Sequence, residues 1–283
     1  MLVTKFLDPK NDFAFKKIFG TEKNKDILVH FLNDILGFAE GEKIKQVSFL
    51  KTVQDPDIAS KKQSIVDVLC EDEKGVQYII EMQVARTDGF VKRAQYYAAK
   101  AYTSQMNSGA SYDKLKQVIF LAITDFTMFP EKPGFKSDHV ILDRELCTQD
   151  LKDFSFTFLE LPKFTKSVDD LTNIVEKWMY FFKHASHTNL EELEKITSID
   201  IAIRKAYEVL IQISQSEEEL RTYEQEKKSQ LDEQAMLTYA RREGKAEGKA
   251  EVAKNMFAKG MDIQTIRSLT GLSEDELQQL SST

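Results

Sequence analysis

The chemistry-bearing residues of this chain concentrate in "QSIVDVLCEDEKGVQYIIEMQVA", residues 63–85, which carries Asp67, Glu81 and Gln83. The segment reads as two apolar strands about a polar turn. Strand interiors disfavour Asp, and like charges on facing positions destabilise a sheet. With a loop of Glu73, Lys74 and Gly75, Asp72 faces Val76 and Asp67 falls opposite Glu81, in the middle of its strand. Opposed side chains share a face, and Gln83 joins Glu81 there because strand side chains alternate. Ile65, Leu69 and Ile79 would flank them. Carboxylates that close repel unless a proton or cation lies between them. A hard divalent cation suits the pair, since Mg²⁺ uses one or two carboxylates and completes its shell with water and substrate phosphate. The competing reading is a solvent-facing edge hairpin, in which a one-residue slip of register would separate the acids.

The elements that must position these residues are readable from periodicity. Phe13, Phe15, Ile18, Phe19, Ile27, Leu28, Phe31, Leu32, Ile35 and Leu36 recur at helical spacing, split at Gly20 and closed by Gly37. "KIKQVSFLKTV" predicts a first strand, ahead of the hairpin. "GFVKRAQYYAAKAYTSQMNSG" predicts a helix ending at Gly109, and "LKQVIFLAITDF" a strand buried on both faces. "DHVILDR" and "FSFTFLEL" predict two more strands. From about Val168 the pattern is helical. The tail holds the glycine-bearing "REGKAEGKAEVAKNM", expected to be a mobile or conditionally ordered helix, and then "DIQTIRSLTGLSEDELQQL", which has a helix-turn-helix rhythm with Ser273 and Glu276 at capping-box positions.

Strand-Asp, turn, strand-Glu-x-Gln and an Arg/Tyr-bearing helix together resemble the PD-(D/E)xK phosphodiesterase superfamily. Within it, the chain resembles the bacterial recombination-promoting nuclease/putative transposase family. The matching stretches are "NDFAFKKIFG", "VDVLCEDEKGVQYIIEMQ", "KRAQYYAAKAY" and "REGKAEGKAEVAKNMFAKGMDIQTIRSLTGLSEDEL". The resemblance implies an α/β restriction-endonuclease-like mixed sheet flanked by helices over residues 1–165, a helical region over 166–234 and a C-terminal helical appendage over 235–283. It implies a metal-dependent DNA endonuclease linked to recombination or mobile elements, with Asp67 and Glu81 as ligands for Mg²⁺ or Mn²⁺. Gln83 takes the position usually held by lysine, where it would place the hydrolytic water but supply no charge. The alternative from a different class is a nuclease fold that no longer cuts and binds DNA or protein.

Several side chains carry two readings. Asp12 is either a helix N-cap or a third acid approaching the metal. Lys16 either is solvated or meets substrate phosphate. Arg93 and Tyr97 lie four apart on one helix face, where Arg93 would grip a phosphate oxygen, pair with Glu81 or tie the helix to the sheet. Asp55 and Asp57 in "QDPDI" read as a turn, and His184 with His187 as a surface pair lacking a third ligand. The acidic "SEDEL" would repel DNA phosphate, which favours packing or protein contact for the last helix.

Composition bounds the class. The chain has 283 residues, 42% hydrophobic and 30% charged, without an apolar run long enough for a membrane. Cys70 and Cys147 offer neither a disulfide framework nor a metal motif. A cytoplasmic location is expected, with DNA as partner and a homo-oligomer possible through the helical C-terminal region. The net charge of −7 argues against bulk electrostatic coating of nucleic acid, and most of it lies beyond residue 150.

Overall fold

A computed structural model describes residues 6–54, 64–106, 111–198 and 200–281. Asp55 and Asp57 lie outside the described residues. The chain divides into two compact units, Met1–Glu226 and Lys227–Thr283.

In the first unit, helices α1 (Asp12–Phe19) and α2 (Lys25–Leu36) precede strands β1 (Val47–Phe49), β2 (Val53–Gln54), β3 (Ser64–Ile65), β4 (Val68–Asp72) and β5 (Gln77–Gln83). Helix α3 (Phe90–Ser104) crosses to β6 (Val118–Thr124), followed by β7 (Lys136–Val140) and β8 (Phe154–Glu160). Helices α4 (Ile174–His184), α5 (Leu190–Thr197), α6 (Ile201–Gln215) and the start of α7 (Glu217–Ala258) complete the unit.

Six strands form one sheet in the order β1-β4-β5-β6-β8-β7, while β2 and β3 pair separately. β5, β6 and β8 run parallel, and the outer pairings are antiparallel. This is the mixed sheet flanked by helices that the resemblance implies. β6 is buried along its whole length, as expected of a central parallel strand covered on both faces. The α3 helix ends at Ser104 rather than Gly109, which lies outside the described residues.

Alternation along the strands builds two cores. Tyr78, Ile80 and Met82 of β5 face the larger one, where Phe15, Phe19 and Phe31 meet Trp178 and Phe182 from α4. Ile79 faces the smaller core, packed beneath Phe90, Ala94, Ala98 and Ala101 of α3. The alanines at helical spacing let α3 lie close on the sheet.

The N-cap of α1 is Asn11, not Asp12: its side chain accepts from the Ala14 backbone N–H at 3.2 Å. Asn11 also donates from Nδ2 to the Tyr223 carbonyl at 3.4 Å, and the Tyr223 hydroxyl accepts from the Asp8 N–H at 3.0 Å. The first turns of α7 are thereby fastened to the segment entering α1. Asn11→Ala loses a cap and a buried partner, and is expected to cost about 1–2 kcal/mol of stability in urea denaturation.

In the second unit, α7 stays helical through Gly244 and Gly248 without a break. The surrounding Ala, Arg, Lys and Glu are strong helix formers and offset both glycines. α8 (Ile263–Thr270) closes at Gly271, whose φ of 65° suits a left-handed cap. α9 (Glu274–Ser281) begins with the predicted capping box: Ser273 N donates to Glu276 Oε2 at 2.7 Å and Glu276 N to Ser273 Oγ at 3.3 Å. Ala253, Ile266, Leu272 and Leu277 form its small core. Among the described residues, no helix is long and apolar enough to cross a membrane.

Candidate active site

The turn between β4 and β5 sets the geometry of the site. Asp72 Oδ1 accepts from the backbone N–H groups of Lys74 (2.8 Å) and Val76 (2.9 Å), and its Oδ2 accepts from the Tyr78 hydroxyl at 2.9 Å. Gly75 takes φ 82°, where a side chain is strained. This local chemistry fixes Val68 opposite Ile80 and Leu69 opposite Ile79. One step further along the same register, Asp67 meets Glu81.

Asp67 is not in the middle of a strand. It occupies a bend between β3 and β4, and its Oδ2 accepts from the Met82 backbone N–H at 2.8 Å. The carboxylate thus occupies a backbone donor at the end of the ladder, which explains how Asp is tolerated there. The Asp67 N–H donates to Glu81 Oε1 at 3.2 Å. Gln83 Nε2 donates to Glu81 Oε2 at 3.0 Å, so the three residues join through hydrogen bonds. Glu81 is only 3% exposed, and Leu69 and Ile79 line the same side of the sheet.

Burial dominates the electrostatics. It pushes the Glu81 carboxyl up to about 8, with Asp67's charge adding to the rise, while the Asp67 N–H, Arg93 and Gln83 oppose it. Burial likewise pushes Asp67 up to about 6, aided by Asp12 and opposed by the Met82 N–H, Lys16 and Arg93. The pair is short of positive charge. Among the described residues, no three His, Cys, Asp or Glu converge tightly enough to hold a metal ion. A buried and a half-buried carboxylate nevertheless match a hard cation that keeps water and phosphate in its shell.

The remaining predicted residues surround this pair in different ways. Asp12, in the first turn of α1, binds the Lys16 ammonium at 2.8 Å, and that ammonium stands 3.9 Å from Asp67 Oδ1. Burial works against the charge on Lys16, but Asp12, Asp67 and Glu226 outweigh it and raise its pKa. Arg93 neither pairs with Glu81 nor points free into solvent: Nη2 donates to Gln83 Oε1 at 2.7 Å, and the guanidinium lies 4.9 Å from the centre of the Phe90 ring. Tyr97 is half-buried; burial, then the charges of Glu81 and Asp67, raise its hydroxyl pKa against the pull of Arg93, so it stays a donor.

Two bordering charges escaped the sequence reading. Lys10 pairs with Asp125 at 3.1 Å, and the Asp125 N–H donates to the Gln83 carbonyl at 2.9 Å. Asp125 directly follows the apolar β6 run, which places it beside Gln83 once the parallel register is known. His184 stacks on Tyr180, and His187 contacts Ser186.

The fold agrees with comparison to protein families. Residues 9–240 match the model of the PD-(D/E)XK nuclease family transposase. Residues 246–282 match the C-terminal HTH domain of the Rpn/YhgA-like nuclease family. The chain belongs to the PD-(D/E)XK nuclease family transposases. No curated protein and no solved structure matches it.

Proposed function

We propose that this protein is a DNA endonuclease that hydrolyses phosphodiester bonds with Mg²⁺ or Mn²⁺ held between Asp67 and Glu81. The observation carrying this reading is the opposed carboxylate pair at the end of the sheet, Glu81 buried and Asp67 half-buried, joined to Gln83. Such an ion, when bound, polarises a phosphoryl oxygen and lowers the pKa of water. Asp67 and Glu81 would hold such an ion, and Gln83 would orient the attacking water. Lys16 supplies a cation beside Asp67, where a substrate phosphate would replace part of its contact with Asp12. Tyr97 offers a hydroxyl proton at the same mouth. Asp12 borders the pair only through Lys16, and joining the ligand set would require it to move, because among the described residues no three acids converge tightly enough to hold an ion. A role in recombination or mobile-element traffic fits the transposase relationship.

The HTH match at residues 246–282 supports a DNA-contacting tail. Its last helix begins Glu274-Asp275-Glu276, and Glu276 is engaged with Ser273. Base contact, if made through this unit, would fall to Gln264 and Arg267 of α8 rather than to that acidic turn.

The direct test is conversion of supercoiled plasmid to nicked and linear forms. Cleavage is expected with Mg²⁺ or Mn²⁺ and loss to background with excess EDTA. Cutting that persists in EDTA would overturn the metal-dependent reading. The reading in which the fold binds without cutting is favoured by one observation, the uncharged Gln83. It predicts no cleavage under any metal, and retained DNA binding by gel shift.

A further inference from the structure

We infer that Arg93 is the positioning residue that makes Gln83 act in place of the missing lysine; this rests on the nuclease reading above. An amide at that position has two possible orientations, which differ in what they present to the reaction. With Oε1 toward the acids, Gln83 is an acceptor that repels carboxylates and phosphate oxygens. With Nε2 toward them, it presents only N–H donors, as a lysine does.

Arg93 settles the choice. A guanidinium has five N–H donors and no acceptor, so the Gln83 atom facing it must be the carbonyl oxygen. The 2.7 Å bond from Arg93 Nη2 to Gln83 Oε1 and the 3.0 Å bond from Gln83 Nε2 to Glu81 Oε2 are consistent with this single orientation. A full positive charge on the oxygen side also polarises the amide, strengthening Nε2 as a donor. The amide thereby relays part of the charge that lysine would carry directly.

A stabilising role accounts poorly for Arg93. Its Nε is buried without a hydrogen-bond partner. Native proteins rarely leave such a donor unmet. The guanidinium carbon lies 4.9 Å from the centre of the Phe90 ring, and Nη2 donates to Gln83. Arg93 lies near the start of α3, on the helix face that looks at the β5 end. The arrangement holds one cation behind one amide.

This inference predicts an unusual response to restoring the family lysine. Gln83→Lys would set an ammonium against the Arg93 guanidinium, and is expected to lower kcat about 10-fold or more rather than raise it. Arg93→Met should lower kcat about 10- to 100-fold with KM within about twofold, because the amide is freed to turn. The double variant Gln83→Lys with Arg93→Met should cut faster than either single variant. A second readout does not depend on cleavage. In selectively ¹⁵N-labelled metal-free protein, the Gln83 side-chain amide protons should exchange slowly in wild type and at least about tenfold faster in Arg93→Met. Calorimetry with Mn²⁺ should show the ion still binding to Arg93→Met, which separates loss of positioning from loss of the metal site. Gln83→Lys cutting at or above the wild-type rate, a double variant no better than the singles, or unchanged amide exchange would each overturn the inference. If the wild-type protein itself does not cut, the nuclease reading fails, and the exchange experiment still decides whether Arg93 orients Gln83.

Discussion

Asp67→Ala and Glu81→Ala are each expected to slow metal-dependent plasmid cleavage by about 10²–10³-fold or more, with the far-ultraviolet circular dichroism unchanged. Each variant removes one of the two carboxylates that would hold the ion, and the remaining acid cannot orient it alone. The folds should survive for different reasons. Glu81→Ala removes a buried charge that has no adequate counterion, since Arg93 reaches Gln83 rather than Glu81. Asp67→Ala leaves the Met82 N–H without its acceptor, a cost of about 1–3 kcal/mol that a domain of this size should bear. Initial nicking rates at saturating Mg²⁺, with dichroism on the same samples, provide the check. Two variants that cut at wild-type rates would remove the basis for the assignment.

The second large effect is on stability, in the opposite direction. Without metal, Glu81→Gln is expected to stabilise the protein at pH 8 by about 2–4 kcal/mol, visible as a rise in Tm of roughly 5–10 °C. The sign follows from proton linkage. The Glu81 carboxyl rises from 4.5 to about 8 on folding, and Asp67 from 3.8 to about 6. Between those limits the folded state holds protons that the unfolded state has released. Stability of the metal-free protein therefore falls as pH rises from about 4 to about 8. Glutamine keeps the size of Glu81 and carries no charge to desolvate, a gain that outweighs the loss of one of the two contacts accepted by the carboxylate. At pH 4 both forms are neutral at this position, and their melting temperatures should converge. Excess Mn²⁺ should raise the wild-type Tm at pH 8 far more than that of the variant, because only the wild type regains a full ligand pair. A Glu81→Gln protein that melts lower than wild type at pH 8 without metal would contradict the charge imbalance described here.

Much of the site was legible because one turn controls it. The Glu73-Lys74-Gly75 loop fixes the β4–β5 register, and the register alone sets Asp67 against Glu81. The conformation of Asp67 was not legible. Apolar alternation runs through it, and only tertiary structure shows its carboxylate on the Met82 N–H, bending the chain before β4. At α1, Asn and Asp are nearly equal as caps, so the pair Asn11-Asp12 could not be ordered by propensity. The Tyr223 carbonyl, more than two hundred residues away, supplies the partner that favours Asn11. Of the three readings for Arg93, the bond to Gln83 realises the tie between helix and sheet; spacing shows which face a side chain occupies but not which strand residue it reaches. The capping box at Ser273 and Glu276 needed nothing beyond four consecutive residues, and it formed as read.

The aromatic cluster has a consequence for biosynthesis. Phe15, Phe19 and Phe31 emerge from the ribosome early, yet their shelter is Trp178 and Phe182, translated well over a hundred residues later. A nascent chain that already contains both acids of the site still has no stable scaffold to hold them. On the proposed nuclease reading, the cutting site would be assembled only when synthesis is well advanced.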